Sequence, residues 1–155
     1  MILSRNLIEE YNIAFDENFL KGELIDNFSY VSKGYAKKQR MEINDKKQFM
    51  ADQYGSRHEV CNGGSARCGL NGHFQIKGIG PNPLVATNIS ESHSHGKLFI
   101  DEAISEAIWG EICHKHLPYG AIRTLAIIKT NTKHKFGYLD EAPYKHCALA
   151  IREVS

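Results

Sequence analysis

No charge of either sign predominates in this chain. Nineteen Lys and Arg residues against 18 Asp and Glu residues leave a formal net charge of +1 at pH 7. A chain so balanced has no global field for nucleic acid or an anionic membrane, and neither is expected as a partner. No apolar run approaches the ~20 residues that a membrane-crossing helix needs. The start, Met1-Ile2-Leu3-Ser4-Arg5-Asn6-Leu7-Ile8-Glu9-Glu10, meets acids too early for a secretory signal, so a cytoplasmic protein is expected. Four cysteines, Cys61, Cys68, Cys113 and Cys147, are too few and too scattered for a disulfide framework. Internal repeats and low-complexity segments are also absent. What is present is ordinary: 155 residues, 42% hydrophobic and 24% charged, enough for one domain with a real core.

Residues 1–50 are expected to form an N-terminal extension of mixed helix and loop. Leu7, Ile8, Tyr11, Ile13, Phe15, Phe19 and Leu20 give only broken helical spacing, and Ala36–Arg40 is a basic run that reads as a solvated face or linker. From residue 51 the pattern sharpens. Asn71-Gly72 separates two strand-like runs, Ala66–Leu70 and His73–Lys77, and Asn-Gly suits a type I′ hairpin turn. On the second run Phe74 and Ile76 share one face while Gln75 and Lys77 share the other. Pro81 and Pro83 end regular structure, and a polar loop leads to His93-Ser94-His95-Gly96. A helix is predicted from about Lys97 to His116, with Ile100, Ala103, Ile104, Ala107, Ile108 and Ile112 as its apolar stripe and Glu106 at the flank. Ile122–Lys129 and His146–Val154 read as buried strands. Hairpin, helix, strand, strand predicts an α+β fold, a mostly antiparallel sheet with one packed amphipathic helix.

Lys77 and Glu106 are the informative pair. A lysine on a strand and a glutamate on the next helix can form a buried ion pair that holds nucleotide phosphates. Each residue also has an ordinary reading, as a surface lysine on a half-exposed strand and a glutamate on a helix face. Gly63, Gly64, Gly69 and Gly72 serve equally well as turn residues, and Arg152 as a strand-end charge. His93, His95, Cys113, His114 and His116 lie around the helix ends, but no Cys-x2-Cys or His-x3-His spacing is present, and no metal site is expected.

The ordered set of motifs resembles the selenoprotein O family, the kinase-like protein adenylyltransferases. Gln75-Ile76-Lys77-Gly78-Ile79-Gly80-Pro81-Asn82-Pro83 resembles that family's L-K-G-x-G-x-T-P segment. Gly96–Ile100, Ile104-Ser105-Glu106 and Glu111–His114 resemble its G-R-A-V-L-x-x-x-I-R-E-x-x-x-x-E-x-x-H helix. Ile122–Ile128 resembles T-R-A-L-S-I-V, and Ala148–Val154 resembles L-x-R-V-A. Tyr54–His58 and Gly63–Arg67 are looser matches, to Y-x-G-H-Q-F-G and G-D-G-R.

The resemblance implies a kinase-like N-terminal lobe over residues 51–155 that uses ATP with Mg or Mn, in a family that attaches AMP to protein hydroxyls. Carried over, Lys77 would hold phosphate, Glu106 would orient Lys77, and Arg152 would add a phosphate contact. Arg67 would lie near the glycine-rich loop of Gly63 and Gly64. The pattern also departs from the family's. Its basic residues around the helix start appear here as Lys97, Asp101 and Ser105, and Leu84 is followed by Val85 where an arginine is expected. The general base and metal-holding residues would lie in a second lobe beyond Ser155, so the isolated chain is expected not to transfer AMP. A separate C-terminal lobe or a protein substrate is the expected partner. The alternative is a non-catalytic interaction module, by a looser association one serving maturation of microcin-type peptides.

Overall fold

The computed structural model describes residues 1–6, 12–14, 21–33, 35, 41–52, 67–85, 94–135 and 140–154. Ten strands are found among them: β1 (Ile2–Asn6), β2 (Asn12–Ala14), β3 (Tyr30–Val31), β4 (Met41–Gln48), β5 (Met50–Asp52), β6 (Cys68–Asn71), β7 (Phe74–Lys77), β8 (Leu98–Phe99), β9 (Thr124–Lys135) and β10 (Tyr144–Glu153). Two helices accompany them, here α1 (Lys21–Phe28) and α2 (Ile100–His116). The fold is α+β, and every strand pairing described is antiparallel. Neither helix is long and apolar enough to cross a membrane.

The larger sheet runs β2-β9-β10-β7-β6-β5, with β8 added on β10. Its two faces bury different residues. One face, with Ile76, Ile128, Leu149 and Ile151, joins Leu24, Phe28, Tyr30, Val31, Tyr35 and Phe49 in a single core cluster. The other, with Ile127, Ala148 and Ala150, packs against Leu98 and the small residues Ala103 and Ala107 of α2. Alanine facing alanine lets the helix backbone approach the sheet closely.

Several elements differ from the sequence expectation. Residues 1–50 hold one described helix, but strands β1, β3 and β4 form a separate three-stranded sheet, and β2 adds to the edge of the larger one. Pairing with a distant strand leaves no local period in a polar segment such as Met41–Gln48, so helix and loop were the wrong expectation there. The hairpin loop is Gly72-His73, with Asn71 paired to Phe74, one residue later than Asn71-Gly72. Gly72 takes the left-handed turn conformation there that glycine favours, at φ 60°. Helix α2 starts at Ile100, because Leu98 and Phe99 pair with Ala148 and Cys147. β9 extends to Lys135: Thr130 and Thr132 turn inward while Asn131 and Lys133 face solvent, a period of two that continues the strand past its apolar run. On α2, Ile108 and Ile112 are 53% and 40% exposed, so only the N-terminal half of the expected stripe meets the sheet.

Candidate functional site

Lys77 sits at the end of β7, and its register partner on β10 is Ala150. Two residues along β10 is Arg152, opposite Gln75. With side chains alternating across a strand, Gln75, Lys77, Ala150 and Arg152 share one face. That is the α2 face, since Ala150 packs with Ala103 and Ala107. The helix returns Glu106 to the same patch, one turn on from Glu102. Gly78 follows Lys77 at φ 95°, and a Cβ there would come within 2.6 Å of the Ala148 carbonyl oxygen. Only glycine fits where the chain leaves the sheet beside the site.

The result is a shared carboxylate. Lys77 Nζ donates to Glu106 Oε1, and Arg152 Nη2 donates to Glu106 Oε2. Lys77 is 2% exposed, whereas the Glu106 side chain keeps 28% of its surface open. Burial lowers the Lys77 pKa from its ordinary value, and the Arg67 charge lowers it further; the hydrogen bond to Glu106 opposes both. A buried ammonium costs stability unless a carboxylate compensates it, and Glu106 supplies that compensation.

A second ion pair flanks the first. Arg67 Nη2 donates to Glu102 Oε1 at 2.7 Å, and its Nη1 donates to the Lys97 carbonyl at 3.2 Å. Arg67, Lys77 and Arg152 thus lie in one region against Glu102 and Glu106. Their formal charges sum to +1, with Glu106 at the partly open edge. Such an arrangement can hold an anion whose oxygens take over donors now on Glu106.

The structure therefore brings together Lys77, Glu106 and Arg152, with Arg67 beside them. Gly63 and Gly64, also expected at the site, lie outside the described residues. Lys97, singled out at the expected start of the helix, is 9% exposed but turns to the opposite face of the sheet. Its Nζ lies 3.3 Å from His134 Nδ1 and 5.5 Å from the Tyr35 ring centroid. Asp101 does not face the ion-pair cluster; it pairs with Lys145 at 2.5 Å. His95 accepts the Lys97 backbone N–H, and His114 bonds the backbone of Ala121. No group of three or more His, Cys, Asp or Glu residues suited to a metal occurs among the described residues.

Sequence reasoning missed Glu102, Asp52 and Asn82. Glu102 was findable, since a glutamate four residues before Glu106 shares its helix face. Asp52 accepts a hydrogen bond from Gln75, and Asn82 donates to the Cys68 carbonyl at 2.8 Å, tying the loop after β7 to β6. The Leu84 N–H donates to Asn82 Oδ1 at 2.8 Å, an Asx turn that the Pro-Asn-Pro run allows. No family model, curated protein or solved structure matches the chain.

Proposed function

We propose that this chain is an ATP-binding lobe of the kind found in kinase-like protein adenylyltransferases, with Lys77 and Arg152 as its phosphate contacts. The Lys77–Glu106–Arg152 network carries this reading. A strand lysine held by a glutamate of the following helix is the phosphate-binding arrangement of kinase-like lobes. The strand order supports it: β5, β6 and β7 are successive neighbours, β10 lies next to β7, and α2 comes between β7 and β9 in the chain. The cations suit polyphosphate. Metal-held transfer chemistry needs further groups, since the described residues contain no carboxylate cluster able to hold Mg or Mn.

Calorimetric titration with ATP tests the reading. Binding is expected in the wild-type chain, and Lys77→Met or Arg152→Ala is expected to weaken it about tenfold or more, the loss of one charge-assisted hydrogen bond. No heat at millimolar ATP, or unchanged affinity in both variants, contradicts the proposal. A second reading, a non-catalytic interaction module, is favoured by one observation: Glu106 already engages both cations, so the network is complete as a structural strut.

A further inference from the structure

Two lysines are buried among the described residues, Lys77 and Lys97, and of these only Lys77 has a carboxylate partner there. Lys97 Nζ lies 3.3 Å from His134 Nδ1 and 5.5 Å from the Tyr35 ring centroid. A ring nitrogen and a ring face attract an ammonium without neutralising it. Burial holds the Lys97 pKa down, with the field of Cys147 opposing. A buried cation with no counter-charge costs stability, and Lys97 is such a cation.

The strand beneath Lys97 supplies a second observation. Side chains alternate along β9, so Thr130, Thr132 and His134 share the sheet face turned away from α2. Tyr35 closes one end of this row and Lys97 the other: Tyr35 Oη lies 3.1 Å from Thr130 Oγ1, and Lys97 Nζ meets His134. Thr130 is fully engaged. Its hydroxyl donates to the Cys147 carbonyl at 3.1 Å, so it accepts from Tyr35, and it also accepts from the Thr132 N–H at 3.4 Å. Thr132 sits between the two ends. It is 8% exposed, and its Oγ1 has no hydrogen-bond partner among the described residues. An orphan hydroxyl and an uncompensated ammonium each cost stability, and one anionic acceptor between them would satisfy both. We infer that the chain holds a small monovalent anion between the Lys97 ammonium and the Thr132 hydroxyl, a halide or the carboxylate of a small acid. One cation balances one negative charge, and the buried Tyr35 and Cys147 around the row leave no place for a polyphosphate. The site lies on the opposite sheet face from the Lys77 cluster, so it does not depend on the nucleotide contacts proposed above.

Thermal denaturation of the full chain without nucleotide tests the inference. Sodium chloride and sodium formate are compared with sodium gluconate, a bulky anion, at matched ionic strength. The melting temperature is expected to rise by about 2–4 °C over gluconate once the anion reaches about five times its Kd. A response to chloride alone, to formate alone or to both supports the site and names its anion. Lys97→Met removes the ammonium at similar volume and should abolish the response, and Thr132→Val should weaken it about tenfold. Lys77→Met should leave it intact. The wild-type chain gives an independent reading that needs no variant. Anion and ammonium stabilise each other reciprocally, so the Lys97 pKa, followed by carbon-13 NMR of the lysine side chain, should rise as the active anion is added. Equal melting temperatures in all three salts overturn the inference and leave the row to water. So does a response of the same size in Lys97→Met, or a Lys97 pKa that no anion moves.

Discussion

Replacing Glu106 with alanine removes one carboxylate from two cations at once. Lys77 is then left 2% exposed with its Glu106 hydrogen bond lost, and Arg152 loses its bond to Glu106 as well. Removing one member of a buried pair costs roughly 3–5 kcal/mol. Glu106 is 28% open to water, which lets solvent take over part of its role, so about 3 kcal/mol is the working figure. For a chain of this length each kcal/mol moves the melting temperature by about 2–4 °C, so a fall of about 6–12 °C is expected by differential scanning fluorimetry. The pH dependence adds a second signature. The folded Lys77 pKa lies below its ordinary 10.5, so between the two values the unfolded chain binds more protons and stability rises with pH. Loss of Glu106 lowers the folded value further and widens that window. The gap between variant and wild type should therefore narrow between pH 7 and about pH 10. Lys77→Met leaves Glu106 with Arg152 and no buried charge, and should cost no more than about 1.5 kcal/mol. A Glu106→Ala variant within about 2 °C of wild type, or a gap that does not change with pH, refutes the reasoning.

The thiols should report burial. Burial pushes the Cys68 and Cys147 pKa values up to about 11, so iodoacetamide at pH 8 should modify half-buried Cys113 before either, as read by mass spectrometry of the native protein. Gly96→Ala places a Cβ against the Gly80 and Pro81 backbone at φ 65° and should cost more than about 3 kcal/mol, whereas Gly72→Ala meets nothing within 4 Å and should cost about 1–2 kcal/mol; urea denaturation compares them. His95 is held down at about 4 by burial, with His134 and Lys97 adding to the shift. Below the ordinary 6.5 the unfolded chain takes up a proton that folded His95 resists, so stability should fall from pH 6.5 toward 4. His95→Asn should flatten that slope in the same denaturation assay.

The carboxyl-terminal two-thirds of the fold was legible because its signals are local. The glycine of the hairpin turn, the apolar runs of β9 and β10, and the three-and-four spacing before Ile108 each constrain one element directly. Strand alternation placed Lys77 opposite Phe74 and Ile76, and that carries through to its meeting with Glu106. The first fifty residues were not legible, since β1, β3 and β4 depend on one another and β2 depends on β9. The outward half of α2 was misread for a related reason. Periodicity reports an apolar face but not how far the sheet beneath it extends, and here the packing ends near Ala107. The Gly63 and Gly64 loop beside which Arg67 was expected lies outside the described residues, and the side-chain partners described for Arg67 are Glu102 and the Lys97 carbonyl.

An ATP analogue bearing an acyl phosphate tests the nucleotide proposal most directly. Such a probe transfers its acyl group to an amine held against the phosphates, and peptide mass spectrometry then names the lysine. Lys77 is 2% exposed, so surface reaction alone should leave it nearly unlabelled. The account expects Lys77 to be the principal labelled lysine, with labelling suppressed by excess ATP and reduced at least about tenfold by Arg152→Ala. Labelling spread over exposed lysines such as Lys115 and Lys133, with Lys77 untouched and ATP without effect, would contradict it.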